Sequence, residues 1–161
     1  MIALISASSK EGIEELAKEL VGMGFEILAT GGTAEYLRSK GINVRNTSEI
    51  TGIAERRELK TLHNRLYEMI FSGQIGVVIA IPYNFEKEPC FENIDIGGIC
   101  LIRAAAKAGA FVAFDIESAK DVIEALKTGS DKTKKRLISE AFRFTSRYDG
   151  RIAEWLSNEA P

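Results

Sequence analysis

The sequence is poor in the residues on which several kinds of chemistry depend. It has one histidine, His63, and two cysteines, Cys90 and Cys100. A single histidine with no cysteine beside it argues against a metal centre. The cysteines form no metal-binding or redox motif, so they read as reduced thiols of a cytoplasmic protein, not as a disulfide framework. No apolar run approaches the length of a membrane span. The N-terminal run in MIALISASSK is too short for a signal peptide, and no lysine or arginine precedes it. A net charge of −2 leaves no basic surplus of the kind that binds nucleic acid. Repeats, low-complexity tracts and linkers are also missing. The expectation is one domain over residues 1–161, with neither a nucleic acid nor a membrane as partner.

The chain has 161 residues, 45% of them hydrophobic and 27% charged, enough for one globular core. Short apolar runs at Ile2–Ser6, Phe25–Ala29, Gly76–Ile81 and Phe111–Asp115 read as buried strands. Between them lie helical patterns. Ile13, Leu16, Ala17, Leu20 and Val21 follow the i, i+3, i+4 rule, and Ser8 with Glu11 has the spacing of a capping box before that helix. AEYLRSK is a helix ending at Gly41. SAKDVIEAL and KTKKRLISEAFRFTSRYDGRIAEWL read as closing helices. The stretch from Asn46 to Lys60 has no clear period and reads as loop, and the tail SNEAP as frayed. Alternating helices and short, continuously apolar strands predict an α/β fold with a mainly parallel sheet covered on both faces. Ligands of such sheets sit at the carboxyl ends of the strands. Three loops fall there: SASSK, TGGT and PYNF.

Each motif has a functional and a structural reading. SASSKEG places hydroxyls, Lys10 and a helix N-terminus together, which suits an anion, but a capping box with a solvated lysine has the same pattern. TGGT, Thr30 to Thr33, lets a backbone approach a phosphate, or is a tight turn. It is neither a Walker loop nor a dinucleotide fingerprint. Two such loops after neighbouring strands favour one phosphate site more than either does singly. In ELKTLHN, His63 is a general acid or base, or caps the next helix. Tyr83 stacks on a base, donates a proton, or packs half-buried. In IDIGGICLIRAAAK the helix is expected to begin near Ile99, after two glycines. Asp95 before it and Lys107 near its end suit the helix dipole, and Arg103 shares a face with Lys107. The dipole explains the charges and leaves the adjacent glycines unexplained.

In their order, LISASSKEGI, EILATGGTAEYL, KTLH, ENIDIGG, LIRAAAK and AFRFTSRYDGRIAEWL resemble the inosine monophosphate (IMP) cyclohydrolase domain of the bifunctional purine-biosynthesis enzyme. The resemblance reaches to about Leu156 and implies a three-layer α/β/α, methylglyoxal synthase-like fold. It implies a hydrolase working in the ring-closing direction, in which 5-formamidoimidazole-4-carboxamide ribonucleotide (FAICAR) loses water and becomes IMP. No metal or organic cofactor is expected. A homodimer is expected, with a separate formyltransferase upstream, since that half of the bifunctional enzyme has no counterpart here. By position, Ser8, Ser9, Lys10, Thr30, Gly31, Gly32 and Thr33 would hold the nucleotide, chiefly its phosphate. Thr61, Ile81 and Ile96 would line the rest of the substrate site. Lys60, Tyr83, Asp95 and Lys107 would carry the chemistry. Asp95 would activate or orient the carboxamide, Lys107 would shuttle the proton, and Lys60 with Tyr83 would stabilise the oxyanion.

Departures from the family pattern fall on the substrate side. Glu58 stands where the family has arginine, Ile81 where it has asparagine, Asn64 where it has proline, and Ala108 where it has asparagine. The stretch between His63 and Val77 is short. Retained phosphate loops with altered base contacts would also suit a non-catalytic purine-nucleotide-binding regulatory module. Methylglyoxal synthase itself fits less well, since its Gly-Thr-Thr-Gly and early His-Asp are missing.

Overall fold

A computed structural model describes residues 1–53 and 61–159. Among the described residues, five strands form one parallel sheet in the order β3-β2-β1-β4-β5. They are β1 (Ile2–Ala7), β2 (Glu26–Ala29), β3 (Val44–Asn46), β4 (Ile75–Ile81) and β5 (Phe111–Ala113). The α-helices among the described residues are α1 (Ile13–Gly22), α2 (Gly31–Ser39), α3 (Thr47–Thr51), α4 (Asn64–Phe71), α5 (Gly97–Ala108), α6 (Ile116–Thr128) and α7 (Asp131–Glu159).

The apolar strands are split by their pleat between two cores. Ala3, Ile5 and Ala7 of β1, with Val77 and Ile79 of β4, meet Ile13, Leu16 and Leu20 of α1, Leu37 of α2 and Val122 of α6. Leu4, Val78 and Ala80 point the other way, into Leu66 and Ile70 of α4 and Leu101, Ile102 and Ala105 of α5. Both faces of the sheet are therefore buried, which is why the strands read as continuous apolar runs. The three-layer α/β/α fold follows directly.

Several local expectations change. Ser8 and Glu11 form no capping box. Helix α1 begins at Ile13, after a left-handed Gly12 with φ 71°, and the Ser9 hydroxyl accepts from the Glu11 N–H at 3.3 Å. Helix α5 begins at Gly97, two residues before Ile99. TGGT is no loop: Thr30 is the N-cap of α2 and Gly31 to Thr33 its first turn. The segment read as loop from Asn46 starts with α3, whose capping box pairs Asn46 with Glu49. His63 has its structural role, its Nδ1 accepting from the Arg65 N–H at 3.2 Å as the N-cap of α4.

Tyr67 is half-buried between the layers, and its hydroxyl finds no hydrogen-bond partner. Burial, reinforced by the neighbouring Cys100 thiol, pushes its ionisation well above the usual tyrosine value. A raised folded-state pKa gives stability that is complete below the unfolded value, about 10, and is lost as pH rises beyond it. Tyr67→Phe removes a hydroxyl that makes no bond, so it should leave stability at pH 8 within about 1 kcal/mol of wild type or above it. Urea melts at a series of pH values should show a shallower loss above pH ~10 in the variant.

Candidate functional site

Strands β1, β2 and β3 run outward in one direction from the centre of the sheet, and β4 and β5 in the other. The reversal lies between β1 and β4, and the crevice beyond their carboxyl ends is where an open sheet binds ligands. A cavity of about 540 Å³ opens there, of a size to take a small molecule. Ser6, Ala7 and Ser8 end β1 on its wall, Thr30 follows β2, Ile81 and Tyr83 follow β4, and Asp95 to Gly98 bring in the N-terminus of α5.

The β1 and β2 side is held by a polar clasp. The Thr33 hydroxyl lies 3.2 Å from both the Ala7 N–H and the Ala7 carbonyl. The Lys10 ammonium donates to Thr33 Oγ1 at 3.2 Å and also to the Ala7 carbonyl. Ser8 ties the loop to β4: its N–H donates to the Ile81 carbonyl at 3.0 Å and its hydroxyl to the Pro82 carbonyl at 2.8 Å. Ser8 and Thr30 line the cavity, whereas Ser9, Lys10, Gly31, Gly32 and Thr33 do not.

On the α5 side, the Asp95 carboxylate accepts from the Gly98 N–H at 2.6 Å, in the first turn. Thr61 is 2% exposed and lines the cavity, and its hydroxyl has no hydrogen-bond partner. Both glycines are needed here. A Cβ on Gly97 would lie 2.5 Å from Thr61 Oγ1, and one on Gly98 would lie 2.9 and 3.0 Å from the two Asp95 carboxylate oxygens. The rest of the wall is apolar: Ile81, Ile94, an Ile96 that is 54% exposed, and a rim of Tyr83 and Phe91 at 37% and 67% exposure. One side of the cavity thus offers hydroxyls, a carboxylate and helix N-termini, and the other a greasy face. That combination fits a molecule with an anionic end and a flat, weakly polar end. Among the described residues, no three histidine, cysteine, aspartate or glutamate side chains gather to hold a metal ion.

Of the four residues expected to carry chemistry, Tyr83 and Asp95 meet in this cavity. Lys60 lies outside the described residues, as does Glu58. Lys107 does not line its own chain's cavity. It is exposed in the last turn of α5, with its ammonium 5.8 Å from the centre of the Phe71 ring. At ~1.5 Å per residue, the helix carries it about 15 Å beyond Gly97. Arg103 likewise faces outward, its guanidinium 5.7 Å from the Phe142 ring centre. Sequence reasoning gave no role to Phe91, Glu92 and Ile94 and missed the direct role of Gly97 and Gly98. The unexplained glycine pair was the one signal that pointed to them.

Residues 12–107 match the model of the MGS-like domain family. The bifunctional purine biosynthesis protein PurH of Aquifex aeolicus is 41% identical over 184 residues, spanning 96% of this chain and 36% of that protein. PurH of Acetivibrio thermocellus is 38% identical over 189 residues, 98% of this chain and 37% of the relative. The chain therefore spans a little over a third of the length of these curated relatives. Both alignments are longer than its own 161 residues, so the relatives carry positions that it lacks. The crystal structure of ForH superposes with a TM-score of 0.78 at 26% identity, covering 96% of this chain and 97% of that one. No helix among the described residues is long and apolar enough to cross a membrane. The fold, the site at the strand-order reversal and these similarities together make the chain a member of the MGS-like domain family, homologous to PurH.

Proposed function

We propose that this chain is an IMP cyclohydrolase, closing the six-membered ring of FAICAR with loss of water in purine biosynthesis. The observation that carries the reading is the Asp95 carboxylate, bonded to the first turn of α5 and facing the same cavity as Ser8, Thr30, Thr61 and Tyr83. In the reaction the carboxamide nitrogen attacks the formyl carbon of the same molecule. A C–N bond forms, the carboxamide nitrogen gives up one proton and the formamide nitrogen another, both go to the formyl oxygen, and the C–O bond breaks as a C=N bond forms, so that water leaves. Amides are weak nucleophiles, so a carboxylate that orients and polarises the attacking N–H lowers the barrier. Gly98 occupies one acceptor site of Asp95, and a carboxylate has about four. Tyr83, with Lys60, supplies donors for the oxygen on which charge develops, a contribution of about 3–4 kcal/mol for a preorganised donor. Because attack is intramolecular, much of the work is holding one conformer.

The phosphate is assigned to the Ser8 loop and the N-terminus of α2. Lys10 serves it from behind, as a charge that fixes the loop. Lys107 enters the scheme from a second copy in a homodimer, since its own helix carries it away from its own cavity. An upstream formyltransferase supplies the substrate. A second reading, a purine-nucleotide-binding module without turnover, is favoured by Ile81, which lines the cavity where the family has an amide side chain.

Purified protein mixed with FAICAR should form IMP, followed by ultraviolet absorbance. Tight IMP binding with no turnover would instead favour the binding module. Asp95→Asn keeps an oxygen for the Gly98 N–H, so it should melt near wild type while turnover falls about 10²-fold or more. Gly97→Ala puts a methyl against Thr61 Oγ1. Titration should show IMP affinity reduced about tenfold or more, with helix content unchanged by circular dichroism. Lys107→Ala should also be nearly inactive. Co-expressed with Asp95→Asn, it should recover about a quarter of the wild-type rate, because mixed dimers hold one intact site. A mixture as dead as its components would remove Lys107 from the site.

A further inference from the structure

AFRFTSRYDGRIAEWL contributed to the resemblance, yet none of its residues was given a task. It lies within α7, and Tyr148 reaches from it to the cavity wall. The ring is pinned from two sides, 6.4 Å from Phe85 edge-on and 6.4 Å from Phe144 in a stack. The hydroxyl accepts from the Asp95 N–H at 2.8 Å and donates to the Asn93 carbonyl at 3.3 Å. Local bonds shape the turn before α5, from the Asn93 N–H to the Cys90 carbonyl at 3.1 Å and from the Ile94 N–H to the Phe91 carbonyl at 3.2 Å. They do not tie it to the body of the fold. Tyr148 does, by gripping the backbone on either side of Ile94 at once.

We propose that Tyr148 is the positioning residue for Asp95: through the Asp95 N–H and the Asn93 carbonyl it sets where the carboxylate meets the substrate, without touching substrate itself. The inference rests on the ring-closure reading. A phenol suits the task because one oxygen both accepts and donates while the ring is locked by packing. Burial raises its ionisation above the usual tyrosine value, so it keeps the proton it donates to Asn93.

The test compares wild type, Tyr148→Phe and Phe144→Leu. Tyr148→Phe keeps the ring and its packing. Phe144→Leu disturbs the same stack and makes no bond to the turn. With FAICAR, Tyr148→Phe should lose about 10- to 100-fold in kcat while KM and IMP affinity stay within about threefold. Phe144→Leu should lower the melting temperature and leave kcat within about twofold. A Tyr148→Phe kcat within twofold of wild type would overturn the inference. So would losses in both variants that track their melting temperatures, since that is the signature of a merely structural role. An inactive wild type would overturn the ring-closure reading instead. Amide exchange at Gly98, whose N–H reports the Asp95 carboxylate, would then decide the tether. Faster exchange in Tyr148→Phe supports it, and an unchanged rate overturns it.

Discussion

Helix α5 brings its N-terminus to the cavity only because its first two residues carry no side chains. The space a methyl on Gly97 would take is filled by the Thr61 hydroxyl, and that beside Gly98 by the Asp95 carboxylate. The helix end, where the dipole favours negative charge, thus shares one small volume with a carboxylate and a buried hydroxyl. Thr61 has no partner in the free protein, and a buried unsatisfied hydroxyl costs about 1–3 kcal/mol. That cost sits on the cavity wall, where a ligand group can remove it. On the reading proposed above, stability given up locally would become binding energy, with the two glycines setting the geometry of the exchange.

The position of this end of α5 depends in turn on the sheet. Strand β1 lies at the centre, with β2 on one side and β4 on the other, and the loops leaving those strands turn away from each other. The gap they leave needs closing at its edges. Ser8 closes one edge with two bonds to the end of β4. Thr33 and Lys10 close another by gathering the Ala7 backbone, the loop and the first turn of α2. Lys10 spends its donors on this clasp, but its charge remains behind the loop, and a Coulomb attraction needs no direct contact. The aromatic ladder of α7 completes the enclosure: Trp155 meets Phe85 and Phe91 edge-on at 5.4 Å, so the same helix that carries Tyr148 also supports the rim.

The legible parts of the sequence were those in which one local pattern decides the structure. Ile13, Leu16, Ala17 and Leu20 have the period of a helix and are buried on one face of α1. GVVIAI is buried on both faces and became β4 at the heart of the sheet. Helix starts were harder, because they depend on what the chain meets in space. Nothing local says that Gly97 must clear Thr61, many positions earlier, so α5 was expected to begin two residues late. The same limit applies at the site. Strand ends gave Ser8, Thr30 and Tyr83 by a rule of topology, whereas Tyr148 approaches Asp95 only through the packing of α7 on α5. For Lys107, spacing along the chain does not say which cavity it serves. Its twelve-residue distance from Asp95 is close along the chain but spans the length of a rigid helix.

The two halves of the cavity divide the task of recognition unequally. Its polar half has several independent anchors: the Ser8 loop, the start of α2, Thr61 and Asp95. Its other half, Ile81, Ile94, Ile96, Tyr83 and Phe91, offers mostly shape. An isoleucine at position 81 supports the face of a flat ring, yet it neither donates to nor accepts from a ring atom. Apolar walls discriminate weakly between groups of similar outline, whereas a site whose hydrogen bonds are left unmade rejects the wrong ligand strongly. On the ring-closure reading proposed above, selectivity would rest on the ribose-phosphate end and on the group presented to Asp95. For the proposed reaction that arrangement would suffice. Substrate and product would share the same ribose-phosphate, the bond being made would lie beside the carboxamide, and the greasy wall would have only to hold the imidazole flat while the nitrogen reaches the formyl carbon.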